Sequence, residues 1–359
     1  MAVYLLKWSF LLMTITMMVH TFVVFRGTIW LDRNEIIDTF PKLRCEKLRE
    51  KFLSTEESKT PLNMKSFTDD LRVLMRCPHK TNITQRERYR VELRACCNAT
   101  GSLFLTRENT FKGQRIKYET NRKISKLVDN TVFNMLPPTT PWKNGSRFSR
   151  CAVVGNSGIL RNSSCGAEIN SADIVFRLNL APINNTRDVG EKTNLITANP
   201  SQIRIGYPDL EKRPKPLLDR VSAYSDAPLL LPAFAYTFCT DISFKVHKVL
   251  RMNRPHQKVV FFNPEYLLQL FQYWQRRGLQ EIRLTSGLML ASVAIELCDE
   301  VQLYGFWPFE TDLYGRPVTH HYYDDIGPSR RMHAMPKEFV QLLRMHSQGS
   351  IRLNLDRCQ

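Results

Sequence analysis

The sequence predicts an α/β chain built on a largely parallel sheet, and three observations carry that prediction. Short apolar runs recur near 151–154, 174–179, 194–198, 228–234, 258–263 and 300–306. Helix-length segments separate them, which is the β-α-β spacing of parallel strands. Between the first two runs, Gly155-Asn-Ser-Gly158 makes a small-residue turn, so Cys151 to Pro182 reads as one β-α-β unit with the character of a nucleotide-binding corner.

From the N-terminus, residues 1–7 are read as a cytoplasmic tail. Trp8 to Phe25 is 18 residues without Asp, Glu, Lys or Arg, flanked by Lys7 and Arg26, just long enough to cross a bilayer core. Phe22-Val-Val-Phe-Arg-Gly27 is a poor cleavage site, so a retained transmembrane signal anchor is expected at 8–25. Residues 26–75 are charged and lack regular apolar alternation, and Thr55-Glu-Glu-Ser-Lys-Thr-Pro61 looks like a flexible stem. A single domain over 76–359 is expected to follow. It opens with a mixed stretch to about 135, where Cys96-Cys97 beside a sequon suggests a disulfide-held cap. Leu267 to Trp274 and Leu288 to Leu297 are apolar enough for helices packed on the sheet, and Pro336 to His346 makes an amphipathic one.

Five N-glycosylation sequons, at Asn82, Asn98, Asn144, Asn162 and Asn184, accompany nine cysteines. With the anchor, they place the bulk of the chain on the lumenal, oxidising side of the secretory pathway. The 51 Lys/Arg against 34 Asp/Glu leave a formal charge of +17, which attracts anionic partners. Nucleic acid is excluded as a partner of a lumenal domain, which leaves anionic lipid or an acidic substrate.

The turn at Gly155 lacks the third glycine of G-x-G-x-x-G and the Lys-Ser/Thr of a P-loop, so neither standard phosphate motif fits. Three further blocks follow in order: Thr285-Ser-Gly-Leu288 through Cys298-Asp-Glu-Val-Gln-Leu-Tyr-Gly-Phe-Trp307, then His320-His-Tyr-Tyr-Asp324, then His333-Ala-Met-Pro-Lys-Glu338. Together with Cys151 to Pro182 they resemble the large, small, third and very small sialylmotifs of the animal sialyltransferases, and among these the α2,8 group. The resemblance covers about residues 130–359. It implies a Rossmann-like glycosyltransferase-A variant, the sialyltransferase fold, as a single catalytic domain in a type II Golgi membrane protein. It also implies disulfides from Cys151 to Cys298 and from Cys165 to Cys358. Cys45, Cys77, Cys96, Cys97 and Cys239 then remain, an odd number that leaves at least one thiol free or intermolecular and so allows a homodimer.

The implied reaction moves sialic acid from CMP-sialic acid to a hydroxyl, with inversion through an oxocarbenium-like transition state. Ligands of open α/β sheets gather at the carboxyl ends of strands, where Asn156 follows the first strand and Asn179 ends the second. Both match the family's donor-binding asparagines, and an amide offers donors and an acceptor to cytosine, ribose or phosphate. A turn Asn bonding its own backbone is the competing reading. Thr285, Ser286 and Gly287 set hydroxyls and N–H groups at a helix N-terminus, suited to phosphate or the sialyl carboxylate, although a plain N-cap would use the same residues. Trp307 would wall the donor pocket or serve as a core aromatic.

No Asp-x-Asp occurs in the chain, so the usual metal clamp of a nucleotide sugar is missing, no metal is expected, and protein donors must neutralise the leaving CMP phosphate. His321 and Tyr322 are the candidates for that role, and His320 and His321 align with donor-contacting positions. His333 lies three residues before Pro336, near a helix's positive end that keeps its imidazole neutral, and the resemblance gives it the role of general base. Glu338, five residues on, is expected to orient that loop or hold a hydrogen bond.

These readings point to transfer onto the 8-hydroxyl of a terminal sialic acid on a glycolipid or glycoprotein, in the group that makes one or a few linkages, ganglioside disialyl synthases included. Donor and acceptor are then both anionic. The stretch from Lys245 to Arg283, with eight Lys/Arg and two Asp/Glu, could guide an acidic glycan, or be an ordinary solvated face. Transfer to galactose or N-acetylgalactosamine in α2,3 or α2,6 linkage is the alternative enzyme. A lumenal sialoglycan-binding protein without turnover is the alternative class, and its mark would be a broken motif.

Overall fold

Val153, Val175, Ile196, Leu230 and Val260 sit in uncharged apolar runs and are at most 1% exposed, as parallel strands covered on both faces require. A computed structural model of the chain describes residues 16–18, 20–21, 42–54, 64–142, 147–279, 283–325 and 335–358. It divides into two units, Met1–Lys51 and Phe52–Gln359. In the first, residues 42–51 are helical. Most of the expected anchor at 8–25 lies outside the described residues. Among the described residues no helix is long and apolar enough to cross a membrane.

The second unit carries a small antiparallel pair, β1 (Arg115–Lys117) and β2 (Ser125–Leu127), and one seven-stranded sheet. The sheet comprises β3 (Phe148–Val154), β4 (Ile174–Arg177), β5 (Leu195–Thr197), β6 (Leu229–Leu231), β7 (Val259–Phe261), β8 (Cys298–Tyr304) and β9 (Arg352–Asn354). Their order is β7-β6-β5-β4-β3-β8-β9, and every pairing is parallel. The order reverses at β3, which lies between β4 and β8. That switch point is where an open sheet leaves a crevice at its carboxyl edge.

The six strands expected from the sequence are present and mostly shorter. β4 stops at Arg177 because Asn179 and Leu180 take left-handed backbone, with φ of 58° and 49°. The expected helices span Pro264–Gln275, Ser286–Leu297 and Met335–Ser347. β9 was not anticipated. It is a three-residue strand beginning with an exposed Arg352, and its only signal is register against Gln302–Tyr304.

The Ser286–Leu297 helix is largely apolar and is buried from Gly287 to Leu297. Its C-terminal end is held by Arg90 of the Ile83–Cys96 helix, whose guanidinium donates to the carbonyls of Ile295 and Cys298. Glu296, 2% exposed, accepts the Ala99 N–H at 2.8 Å, and burial pushes its carboxyl up.

The expected stem at 26–75 ends earlier than the sequence suggests. Phe52 is 1% exposed, and the Met64–Arg76 helix buries Phe67, Leu71 and Leu74 within the larger unit. The Phe67 ring meets Phe52 at 5.8 Å and Phe309 at 5.7 Å. This helix is therefore part of the folded domain, because its apolar face has a partner that sequence proximity does not reveal.

Disulfides join Cys151 to Cys298 and Cys165 to Cys358, closing 147 and 193 residues, as the resemblance implies. Cys96 and Cys97 bond to each other. Cys45 and Cys77 are also disulfide-bonded. Cys239 is the free thiol among the described residues and is 1% exposed.

Candidate active site

The turn after β3 is shaped by backbone packing. A Cβ on Gly155 would lie 2.9 Å from the Gly305 carbonyl carbon, and one on Gly158 would lie 2.6 Å from the Thr319 carbonyl oxygen. Glycine at both positions lets the β3 and β8 turns touch and lets the 319–324 loop lie across them. Several bonds fasten that loop to the turn after β3. Gly158 N–H donates to Thr319, Tyr322 N–H to Asn156 at 2.8 Å, and Arg161 Nε to the Tyr322 carbonyl at 2.8 Å. Arg161 also reaches the Asp324 carbonyl and the Asp325 carboxylate.

A cleft opens at the carboxyl ends of β3, β4, β5 and β8, lined by Asn156, Asn179, Asn199, Ser286, His320 and His321 among others. The two expected asparagines are fixed in complementary senses. Asn156 Nδ2 donates to the Leu178 carbonyl at 3.2 Å, which leaves its Oδ1 as an acceptor. Asn179 Oδ1 accepts the Asn199 N–H at 3.0 Å, which leaves its Nδ2 as a donor. One acceptor and one two-proton donor then flank the switch point, a pattern that suits a base with its own donor and acceptor edge.

Thr285 caps the Ser286–Leu297 helix: its Oγ1 accepts the Leu288 N–H at 3.2 Å and donates to Glu338. Glu338, 5% exposed, also accepts the Thr285 N–H at 2.8 Å. Glu338 therefore clamps the Met335–Ser347 helix to the Thr285 turn, and the His333 loop it was expected to orient lies outside the described residues. The Thr285 hydroxyl is consumed by the clamp. Ser286, whose Oγ lies 3.4 Å from Asn199 Oδ1, and the first-turn N–H groups of Ser286 and Gly287 remain to meet an anion.

His320 and His321 both line the cleft, with ring centroids 4.2 Å apart. His321 Nδ1 sits 2.6 Å from Asp324 Oδ2, which fixes the ring and leaves Nε2 for a ligand. Burial, then the neighbouring His321, holds His320 below the ordinary histidine range. Tyr322 departs from expectation. Its hydroxyl donates to the Pro182 carbonyl at 2.6 Å, its ring packs on the core under the cleft, and burial pushes its hydroxyl up. It is therefore spent on holding the 319–324 loop to the β4 exit and offers the leaving phosphate nothing. Beside it, Arg177 is 2% exposed with Nη1 and Nη2 unpartnered, and burial lowers it to about 10.

Trp307 is both a cleft wall and a core aromatic: it is 6% exposed, donates to the Thr311 carbonyl at 2.8 Å, and stacks edge-on with Phe309 and Phe339. His333 lies outside the described residues, and Met335, two positions on, lines the cleft. Of the eight cations between Lys245 and Arg283, Arg283 alone reaches the cleft, so that stretch is not a track along it. Asn82, Asn98, Asn162 and Asn184 are exposed, and Asn144 lies outside the described residues. Asn199 and Arg161 were missed. An Asn-Pro step after a strand could have flagged Asn199, whereas no local signal marks Arg161.

Residues 102–350 match the model of glycosyltransferase family 29 (sialyltransferase). The chain belongs to this family of sialyltransferases. It is 40% identical to an α2,8-sialyltransferase 8F of Mus musculus over 88% of this chain and 80% of that protein. It is 38% identical to an α-N-acetylneuraminide α2,8-sialyltransferase of Bos taurus over 78% of this chain and 79% of that one. Among solved structures, a crystal structure of a mammalian sialyltransferase aligns over 84% of this sialyltransferase and 88% of that chain, with 22% identity and a TM-score of 0.41.

Proposed function

We propose that this sialyltransferase moves sialic acid from CMP-sialic acid to the 8-hydroxyl of a terminal sialic acid on a glycolipid or glycoprotein, with inversion and without a metal ion. The observation that carries the linkage is the 40% identity to an α2,8-sialyltransferase over 88% of the chain. The geometry supports the donor half. Asn156 Oδ1 and Asn179 Nδ2 are placed to read a cytosine or ribose, and Ser286 with the adjacent helix N-terminus is placed for the sialyl carboxylate or phosphate.

As the bond from the anomeric carbon to the phosphate breaks, charge grows on CMP, and His321, held by Asp324, donates to it. His333 takes the proton from the attacking 8-hydroxyl on the opposite face of the sugar. Exposed sequons and the disulfides at Cys151–Cys298 and Cys165–Cys358 support a lumenal site in an oxidising compartment, which we assign to the Golgi membrane through a type II anchor at 8–25.

The test is transfer from CMP-sialic acid to a sialylated glycan in EDTA. One CMP should be released per sialic acid gained, and His333→Ala should lower the rate by roughly a hundredfold or more with CMP binding retained. Undiminished transfer by His333→Ala removes the assigned base, and collapse of the rate in EDTA removes the metal-free mechanism.

A further inference from the structure

Arg283 is the one Lys or Arg lining the cleft among the described residues, and the donor half of the proposed reaction does not use it. Its Nε and Nη2 donate to both oxygens of Glu119 at 3.1 to 3.2 Å. Glu119 is 8% exposed, so the pair fixes the guanidinium rigidly. Nη1 donates to no acceptor among the described residues. The Glu119 segment is itself pinned beside the β6 exit, since Glu119 N–H donates to Phe234 at 2.9 Å and Thr120 N–H to Ala235.

That same exit carries Tyr236, whose ring lies 5.7 Å from the Arg283 guanidinium carbon. Phe238 stacks on Tyr236 with centroids 5.2 Å apart and planes at 20°, and it is 62% exposed. A stacked aromatic pair held open to solvent beside a fixed cationic donor is a poor use of apolar area unless something covers it. β6 lies three strands from β3 in the sheet, about 14 Å at the usual interstrand spacing. The platform therefore lies just outside the cleft lining, joined to it through Arg283, on the β6 side away from the Asn156 corner.

We propose that Arg283, Tyr236 and Phe238 form the acceptor subsite, which takes a carboxylate-bearing sugar residue: Arg283 Nη1 binds the carboxylate and the aromatic pair takes the apolar face of the sugar. This deepens the reading above and rests on it, because the acceptor of that reaction ends in such a residue. Buried pairing alone accounts for Arg283 and Glu119, but it gives Phe238 no reason to stand exposed on Tyr236.

The test titrates the full-length chain in detergent, with CMP present, by saturation-transfer NMR. The probes are 3′-sialyllactose, its carboxamide and lactose. The wild type should bind the acid at least tenfold more tightly than the carboxamide. Arg283→Gln should bind the two equally, and Phe238→Ala should weaken both several-fold. Equal binding of acid and carboxamide by the wild type overturns the proposal, as does a preference retained in Arg283→Gln. Should Arg283→Gln fail to fold, wild-type affinity in Phe238→Ala, a change on the surface, overturns it as well. Transfer from CMP-sialic acid is scored separately. Discrimination without transfer defeats the enzymatic reading and keeps the subsite, whereas transfer without discrimination does the reverse.

Discussion

At His321 the imidazole is held from one side, by the Asp324 carboxylate 2.6 Å from Nδ1. Replacing Asp324 with Asn keeps the shape and removes a charge-assisted bond of about 2 kcal/mol, so kcat should fall roughly 30-fold while CMP binding changes little. A matching loss in CMP affinity would mean that Asp324 only supports the loop. Glu338 works differently, through two bonds to Thr285. Glu338→Ala leaves a buried N–H and hydroxyl without their acceptor, costing about 1–3 kcal/mol each at most, and should lower Tm and raise the donor KM together. His320 adds a pH term. Its folded value lies below its ordinary 6.5, so between those two values the unfolded chain binds more protons and stability falls as pH drops. Below the folded value the cost stays constant. A His320→Asn variant should lose less stability between pH 7 and pH 5 in thermal melts, and an unchanged slope would contradict the assignment.

Among the elements, the Met64–Arg76 helix reaches the cleft indirectly. Phe67 supports Phe309, which packs on Trp307 and Phe339 of the wall. A chain begun at residue 76 loses that support. It should melt lower than one begun before Phe52, and Phe67→Ala alone should cost about 3 kcal/mol. Equal melting of the two truncations would return this helix to the stem. The sequence misread it because a helix with charged residues between its apolar ones declares its partner only in three dimensions. The same limit hid Arg161, whose bonds cross 161 residues or more, and it made Tyr322 look available when its hydroxyl is turned to Pro182. Asn156, Asn179 and Ser286 follow strands or open a helix, where direction is fixed locally, whereas His321 lies in the 319–324 loop and is marked in the sequence by the resemblance alone.

For the whole molecule, the sheet order was legible only in part. Apolar runs announced β3 to β8, while β9 is a strand through its register on β8 and through the anchoring of Cys358 to Cys165. The Cys151–Cys298 bond ties β3 to the start of β8, the two strands whose turns shape the cleft. Its 147-residue loop gives an upper figure of about 5 kcal/mol in the chain-entropy account, so a Cys151→Ala/Cys298→Ala chain should melt well below the wild type. The account as a whole rests on one claim, that the acceptor already ends in sialic acid.

The most direct measurement of that claim supplies CMP-sialic acid with matched sialylated and desialylated glycans and reads the products by mass spectrometry before and after a linkage-specific sialidase. The account predicts a gain of one or a few sialic acids on the sialylated glycan alone, resistant to an α2,3-specific enzyme. A gain on the desialylated glycan alone would contradict it.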